Sequence, residues 1–97
     1  MADPSNRVAT HVMLHGRVQG VYYRGWTVEQ ALDLGLDGWV RNRSDGTVEA
    51  LFAGTPVAVA EMVDRCRRGP THAVVTEVVA KPGTDPGAMG FHKLPTI

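Results

Sequence analysis

The order in which strand-like and helix-like stretches follow one another constrains this chain most. Val8, Thr10, Val12 and Leu14 alternate with Ala9, His11, Met13 and His15. Period two over that length predicts a strand, with the even set as its core face. His15-Gly16-Arg17-Val18-Gln19-Gly20 follows as a loop framed by two glycines. A helix is then expected over 22–34, with Val28, Ala31 and Leu32 as its buried stripe. Gly35 stands where a helix ends in a left-handed residue, and Leu36 supplies the apolar contact such an ending uses.

Residues 36–42 predict a second strand and 47–53 a third, joined by the turn Arg43-Ser44-Asp45-Gly46. Thr55 is expected to cap a second helix with Pro56 as its first residue. Val59, Met62, Val63 and Cys66 form that helix's apolar stripe. Arg65, Arg67 and Arg68 fall in its last turn, where cations suit the dipole, and Gly69-Pro70 stops it. The β-branched run 73–80 predicts a fourth strand, 82–90 a loop, and 91–94 a short closing strand. The economical packing of this order is α+β, a ferredoxin-like α/β sandwich (βαββαβ) whose antiparallel sheet carries two helices on one face. Residues 1–6 are expected as a loose tail and 7–97 as a single domain.

Composition removes several function classes. The 97 residues carry ten Lys+Arg and ten Asp+Glu, a formal net charge of zero. That argues against nucleic acid and against a membrane surface as partners, since both reward a basic excess. One cysteine forms neither an internal disulfide nor a multi-cysteine zinc site. His11, His72 and His92 are scattered without ligand spacing. No apolar run is long enough to span a bilayer, and the first residues lack a signal-peptide core, so a cytoplasmic protein is expected.

Topology gathers the polar candidates at one edge. A strand–helix–strand crossover is almost always right-handed and leaves its two strands parallel. The loop 16–20, the start of the first helix and the end of the second strand then converge. Arg24, in the first helical turn, and Asn42, closing the second strand, reach that edge from opposite sides. Backbone N–H groups of a glycine-containing loop, a helix N-terminus and a guanidinium suit an anion, and an amide orients a water. Singly, each feature is more often structural: glycine loops precede many helices, and asparagine commonly ends strands. Arg24 opposes the helix dipole, however, so propensity does not account for it. The nucleotide-binding pattern G-x-x-x-x-G-K-[ST] is missing, because Gly20 is followed by Val21 and Tyr22.

Gly16-Arg17-Val18-Gln19-Gly20-Val21-Tyr22-Tyr23-Arg24 resembles the signature of the acylphosphatase family. Residues 35–42, Gly-Leu-Asp-Gly-Trp-Val-Arg-Asn, followed by Asp45-Gly46-Thr47-Val48-Glu49-Ala50, resemble its second block. The likeness extends over about residues 8–94. It implies hydrolysis of acyl phosphates to a carboxylate and inorganic phosphate by a monomer with no metal and no cofactor. It places the family's essential arginine on Arg24 and its water-holding asparagine on Asn42. Its phosphate-cradling loop falls on Gly16, Arg17, Val18, Gln19, Gly20, Val21 and Tyr22. The chain departs from the family's habit at Tyr22-Tyr23, at Gly25-Trp26 and in its ending, Phe91-His92-Lys93-Leu94-Pro95. The first two bear on the substrate mouth and the last on the pairing of the final strand.

Two other classes compete. The same anion nest could hold an acyl or carbamoyl phosphate within a larger assembly without hydrolysing it. A ferredoxin-like RNA binder needs exposed aromatics on central strands and a basic face, which this composition does not favour. His15 precedes the loop and is read as a strand residue near solvent rather than a base. Cys66, Trp39 and Phe52 are read as packing residues.

Overall fold

The computed structural model describes residues 6–97. Its elements are β1 (Val8–Arg17), α1 (Tyr23–Asp33), β2 (Asp37–Asn42), β3 (Val48–Gly54), α2 (Pro56–Arg68), β4 (Val74–Pro82) and β5 (Phe91–Lys93). One sheet has the order β4-β1-β3-β2-β5. The expected sandwich is present, with β1 and β2 both antiparallel to the β3 between them and hence parallel to each other. The final strand departs from the antiparallel plan, since β5 lies parallel to β2 at the sheet edge, with Val40 opposite Lys93. Of the expected tail, only Asn6 is among the described residues.

The even face of β1 is the core face: Val12 and Leu14 are fully buried. Phe52 of β3 and Phe91 of β5 stack with ring centroids 5.5 Å apart, which ties the short last strand into the core. Thr55 caps α2, its Oγ1 accepting from the Ala58 N–H at 3.2 Å, with Pro56 in the first turn. Val59, Met62 and Cys66 of α2 are buried, and Val63 packs at the margin. The Cys66 thiol is pushed up to about 12 by burial.

The first helix is rotated from its expected face. Its buried residues are Tyr23, Thr27 and Ala31, whereas Leu32 is 58% exposed. Apolar spacing passes over Thr27 because it is polar, yet its hydroxyl donates to the Tyr23 carbonyl at 2.7 Å and so tolerates burial. The Tyr23 hydroxyl donates to the Cys66 carbonyl at 2.5 Å and ties α1 to α2. The helix ends as expected: Leu36 N–H donates to the Ala31 carbonyl and Gly35 N–H to that of Leu32.

The sheet face without helices is covered by a charged cluster. Glu49 Oε1 accepts from Arg41 Nε at 2.7 Å and Arg43 Nη1 at 3.0 Å, and Oε2 meets His11 Nε2 at 2.6 Å. The Arg41 guanidinium also lies 4.8 Å above the Trp39 ring. Burial alone would raise the Glu49 carboxyl, but bonds from His11, Arg41 and Arg43 bring it down to about 2.

Candidate active site

A cleft of about 140 Å³ opens where β1 and β2 end and α1 begins. Val18, Gln19, Gly20, Tyr22, Tyr23, Arg24, Gly25, Asn42 and Lys93 line it. The loop that forms one wall is set by its entry and its anchors. A bulge at His15/Gly16 breaks the β1–β4 register. Gly16 sits there at φ 116°, and a Cβ on it would lie 2.1 Å from the Val74 carbonyl oxygen, so only glycine fits. Val18 and Val21 then bury their side chains in the core. That pins the loop at two points and leaves its backbone toward the cleft between them.

The exit of the loop is strained. Tyr22 occupies the left-handed region at φ 65°, alone among the described non-glycine residues, directly after Gly20 at φ 74°. Such a conformation costs about 1–2 kcal/mol and persists where neighbours over-determine it. Two neighbours do so. The Tyr22 ring lies over Gly25, where an added Cβ would come within 2.3 Å of it. Its hydroxyl donates to Glu29 Oε2 at 3.1 Å. Tyr22 is the N-cap of α1, no side chain caps it, and the first turn holds no acidic residue. The positive end of the helix is therefore left uncompensated by the protein at the cleft floor.

Arg24 follows in the first turn, half-buried, and makes no ion pair among the described residues. Asn42 faces the same cleft from the last position of β2. Its Oδ1 is buried and has no hydrogen-bond partner among the described residues. A buried amide oxygen left unpaired costs about 1–3 kcal/mol, which a water donating to it recovers. The distance between loop and strand is held by Gln19, whose Nε2 donates to the carbonyls of Arg43 at 2.8 Å and Thr47 at 2.9 Å. The turn that presents these carbonyls is itself closed by Thr47, whose N–H and hydroxyl both donate to Asp45 Oδ1. Those bonds hold the Asp45 carboxyl below its ordinary range.

Among the residues singled out from the sequence, Val18, Gln19, Gly20, Tyr22, Arg24 and Asn42 meet at this cleft. Gly16, Arg17 and Val21 do not line it: the first two pair with β4, and the third is buried beneath the loop. The Gln19 side chain is engaged by the hairpin carbonyls, which leaves its backbone as the part facing an anion. His15 stands opposite Glu77 on β1 and is not part of the cleft. Tyr23 and Gly25, read from the sequence as bearing on the substrate mouth, also line the cleft, and Lys93 is the lining residue that sequence reasoning missed. Gly25 was signalled by its odd place in a helix; Lys93 carried no signal, because its nearness depends on how β5 pairs. Among the described residues, no three His, Cys, Asp or Glu side chains are grouped so as to hold a metal ion. No helix there is long and apolar enough to cross a membrane.

The chain as a whole has counterparts among known proteins. The family model described as Acylphosphatase matches residues 10–93. A curated acylphosphatase of Rhizorhabdus wittichii is 49% identical over 96 residues, covering 99% of this chain and 97% of that protein. The structure of an acylphosphatase from Coxiella burnetii superposes with a TM-score of 0.89 at 30% identity, over 93% of this chain and 95% of the other. That of an acylphosphatase from Bacillus subtilis gives 0.87 at 31% identity, over 90% and 98%. Identity of this extent, carried on one shared fold from end to end, establishes that the chain belongs to the acylphosphatase family and is an enzyme that hydrolyses acyl phosphates.

Proposed function

We propose that the cleft binds the phosphoryl group of a small-molecule acyl phosphate with backbone N–H groups of Val18, Gln19, Gly20 and Tyr22 and the guanidinium of Arg24, and that Asn42 orients the attacking water. Arg24 presents a rigid fork of donors that matches two phosphoryl oxygens. The uncompensated N-terminus of α1 adds a fixed positive field. Phosphoryl transfer asks a protein mainly for positioning and charge stabilisation, and these groups provide both.

The substrate supplies the rest. Its leaving group is a carboxylate, whose conjugate acid has a pKa of about 4, so departure needs no general acid. The water oxygen bonds to phosphorus as the bond to the acyl oxygen breaks. One water proton passes to a phosphoryl oxygen, and a carboxylate and dihydrogen phosphate leave. Among the described residues no carboxylate or histidine lines the cleft to act as a base, which suits a proton acceptor on the substrate itself.

The observation that carries this reading is the pairing, across one cleft, of an arginine without an ion-pair partner and a buried amide oxygen without a donor. Residues 7–97 act in it as one unit, since loop, helix and both strand ends contribute. Steady-state hydrolysis of benzoyl phosphate, with inorganic phosphate as competitive inhibitor, tests it. Wild type should turn over and be inhibited by phosphate, and Arg24→Ala should lose both properties together. Phosphate inhibition that survives Arg24→Ala would remove the guanidinium from the site.

A further inference from the structure

We infer that Lys93 is a second cation of the phosphoryl site, supplied by β5 and acting on binding rather than on the chemical step. The inference rests on the reading of the cleft given above. Lys93 lines that cleft together with Arg24, and among the described residues no carboxylate does. Neither cation pairs with an acidic side chain among the described residues, whereas Arg7, Arg41, Arg43, Arg65 and Arg68 all do. The remaining cations without partners, Arg17, Arg67 and Lys81, are exposed, as Lys93 is, but do not line the cleft.

The place of Lys93 is set by backbone bonds to the strand that carries Asn42. It stands opposite Val40 in the parallel β2–β5 pair. The Leu94 N–H donates to the Val40 carbonyl at 2.8 Å, and the Ile97 N–H to that of Asn42 at 3.3 Å. The Ser44 N–H donates in turn to the Ile97 carbonyl at 2.7 Å. The chain on both sides of Lys93 is thus tied to β2, and Lys93 lines the cleft from β5.

Size decides what that ammonium addresses. The cleft is small, about 140 Å³, so a phosphoryl group seated in it lies close to every wall, the one carrying Lys93 included. A cation on this wall therefore meets the phosphoryl oxygens or the product phosphate. An exposed ammonium is a mobile, strongly hydrated point charge, so its contribution is modest and equal in ground and transition states. Interactions of that kind appear in KM and in product affinity and leave kcat nearly unchanged.

The test compares wild type, Lys93→Met and Lys93→Arg. Affinity for inorganic phosphate is measured by titration calorimetry, and benzoyl phosphate hydrolysis by steady-state kinetics. Lys93→Met should weaken phosphate binding and raise KM by about three- to tenfold, with kcat within about twofold, and Lys93→Arg should restore affinity. The difference between wild type and Lys93→Met should shrink as salt is raised, since the contact is exposed to screening. Unchanged phosphate affinity in Lys93→Met, with wild type binding phosphate and turning over, overturns the role of Lys93 alone. A fall in kcat at constant KM also overturns it. A wild type that neither binds phosphate nor hydrolyses the substrate overturns the phosphoryl site itself.

Discussion

Gln19 donates from its side-chain amide to the main-chain carbonyl of Arg43 at 2.8 Å, the residue directly after Asn42. The bond spans 24 positions of sequence and joins the loop between β1 and α1 to the turn that follows Asn42 at the end of β2. A second bond, to Thr47 at 2.9 Å, fixes the amide's orientation. The two halves of the site are thereby held in register by one side chain.

Replacing Gln19 by Leu should therefore misplace Asn42 relative to the loop without removing any group that touches phosphate. Loss of alignment between water and phosphorus lowers kcat, and about tenfold is expected. Phosphate inhibition should change much less. Stability should fall by about 1–2 kcal/mol, because two hairpin carbonyls lose their donor, and urea unfolding reads this directly. Equal losses in kcat and in phosphate affinity would mean that Gln19 contacts the anion itself.

Glu49 contributes to the acid limb of stability, beside Asp37, Asp45 and Asp85, whose carboxyls are also held low. Its carboxyl titrates at about 2 in the fold against an ordinary 4.5, held down by Arg41, Arg43 and His11. A depressed folded-state pKa contributes stability that is complete above the ordinary value and is lost as pH falls toward the folded one. Wild-type stability should therefore decline between about pH 4.5 and 2. Glu49→Gln should be less stable at pH 7 by about 2 kcal/mol, with a flatter profile across that window. Because Arg41 and Arg43 flank Asn42, the same variant should lower kcat more than it raises KM. Unfolding curves collected from pH 7 to 2 separate the two behaviours, and identical slopes for both proteins would contradict the assignment.

The Tyr22–Gly25 contact predicts a sign reversal. Alanine is worth about 1 kcal/mol over glycine within a helix, so Gly25→Ala should stabilise on propensity alone. The added Cβ would instead sit 2.3 Å from the Tyr22 ring and displace it from its bond to Glu29. In wild type the substitution should destabilise by about 1–3 kcal/mol. In a Tyr22→Gly background, where the obstacle is gone, it should stabilise. A double-mutant cycle on thermal unfolding measures the coupling. The same sign in both backgrounds would show that the ring does not depend on this contact.

Much of this architecture was readable from the residues. Alternation along β1, the Thr55-Pro56 opening of α2, the Gly35 ending of α1 and the convergence of Arg24 with Asn42 follow from local chemistry and crossover handedness. What escaped depends on partners distant in sequence. Thr27 is buried in place of Leu32 because its hydroxyl finds a carbonyl one turn back, which apolar spacing does not register. The parallel docking of β5, and with it the approach of Lys93, depends on pairing with β2 and on the stacking of Phe91 on Phe52, both distant in sequence. Gln19 reads as one more loop residue until the hairpin carbonyls it bridges are brought beside it.

The most direct test of the division of labour in the cleft is Asn42→Ala, assayed with a model acyl phosphate and with phosphate as inhibitor. Removal of a single preorganised group of this kind typically costs about 10²–10³ in rate. The expected result is a loss of kcat on that scale while phosphate inhibits almost as well as in wild type. Near-normal turnover in Asn42→Ala would contradict the account.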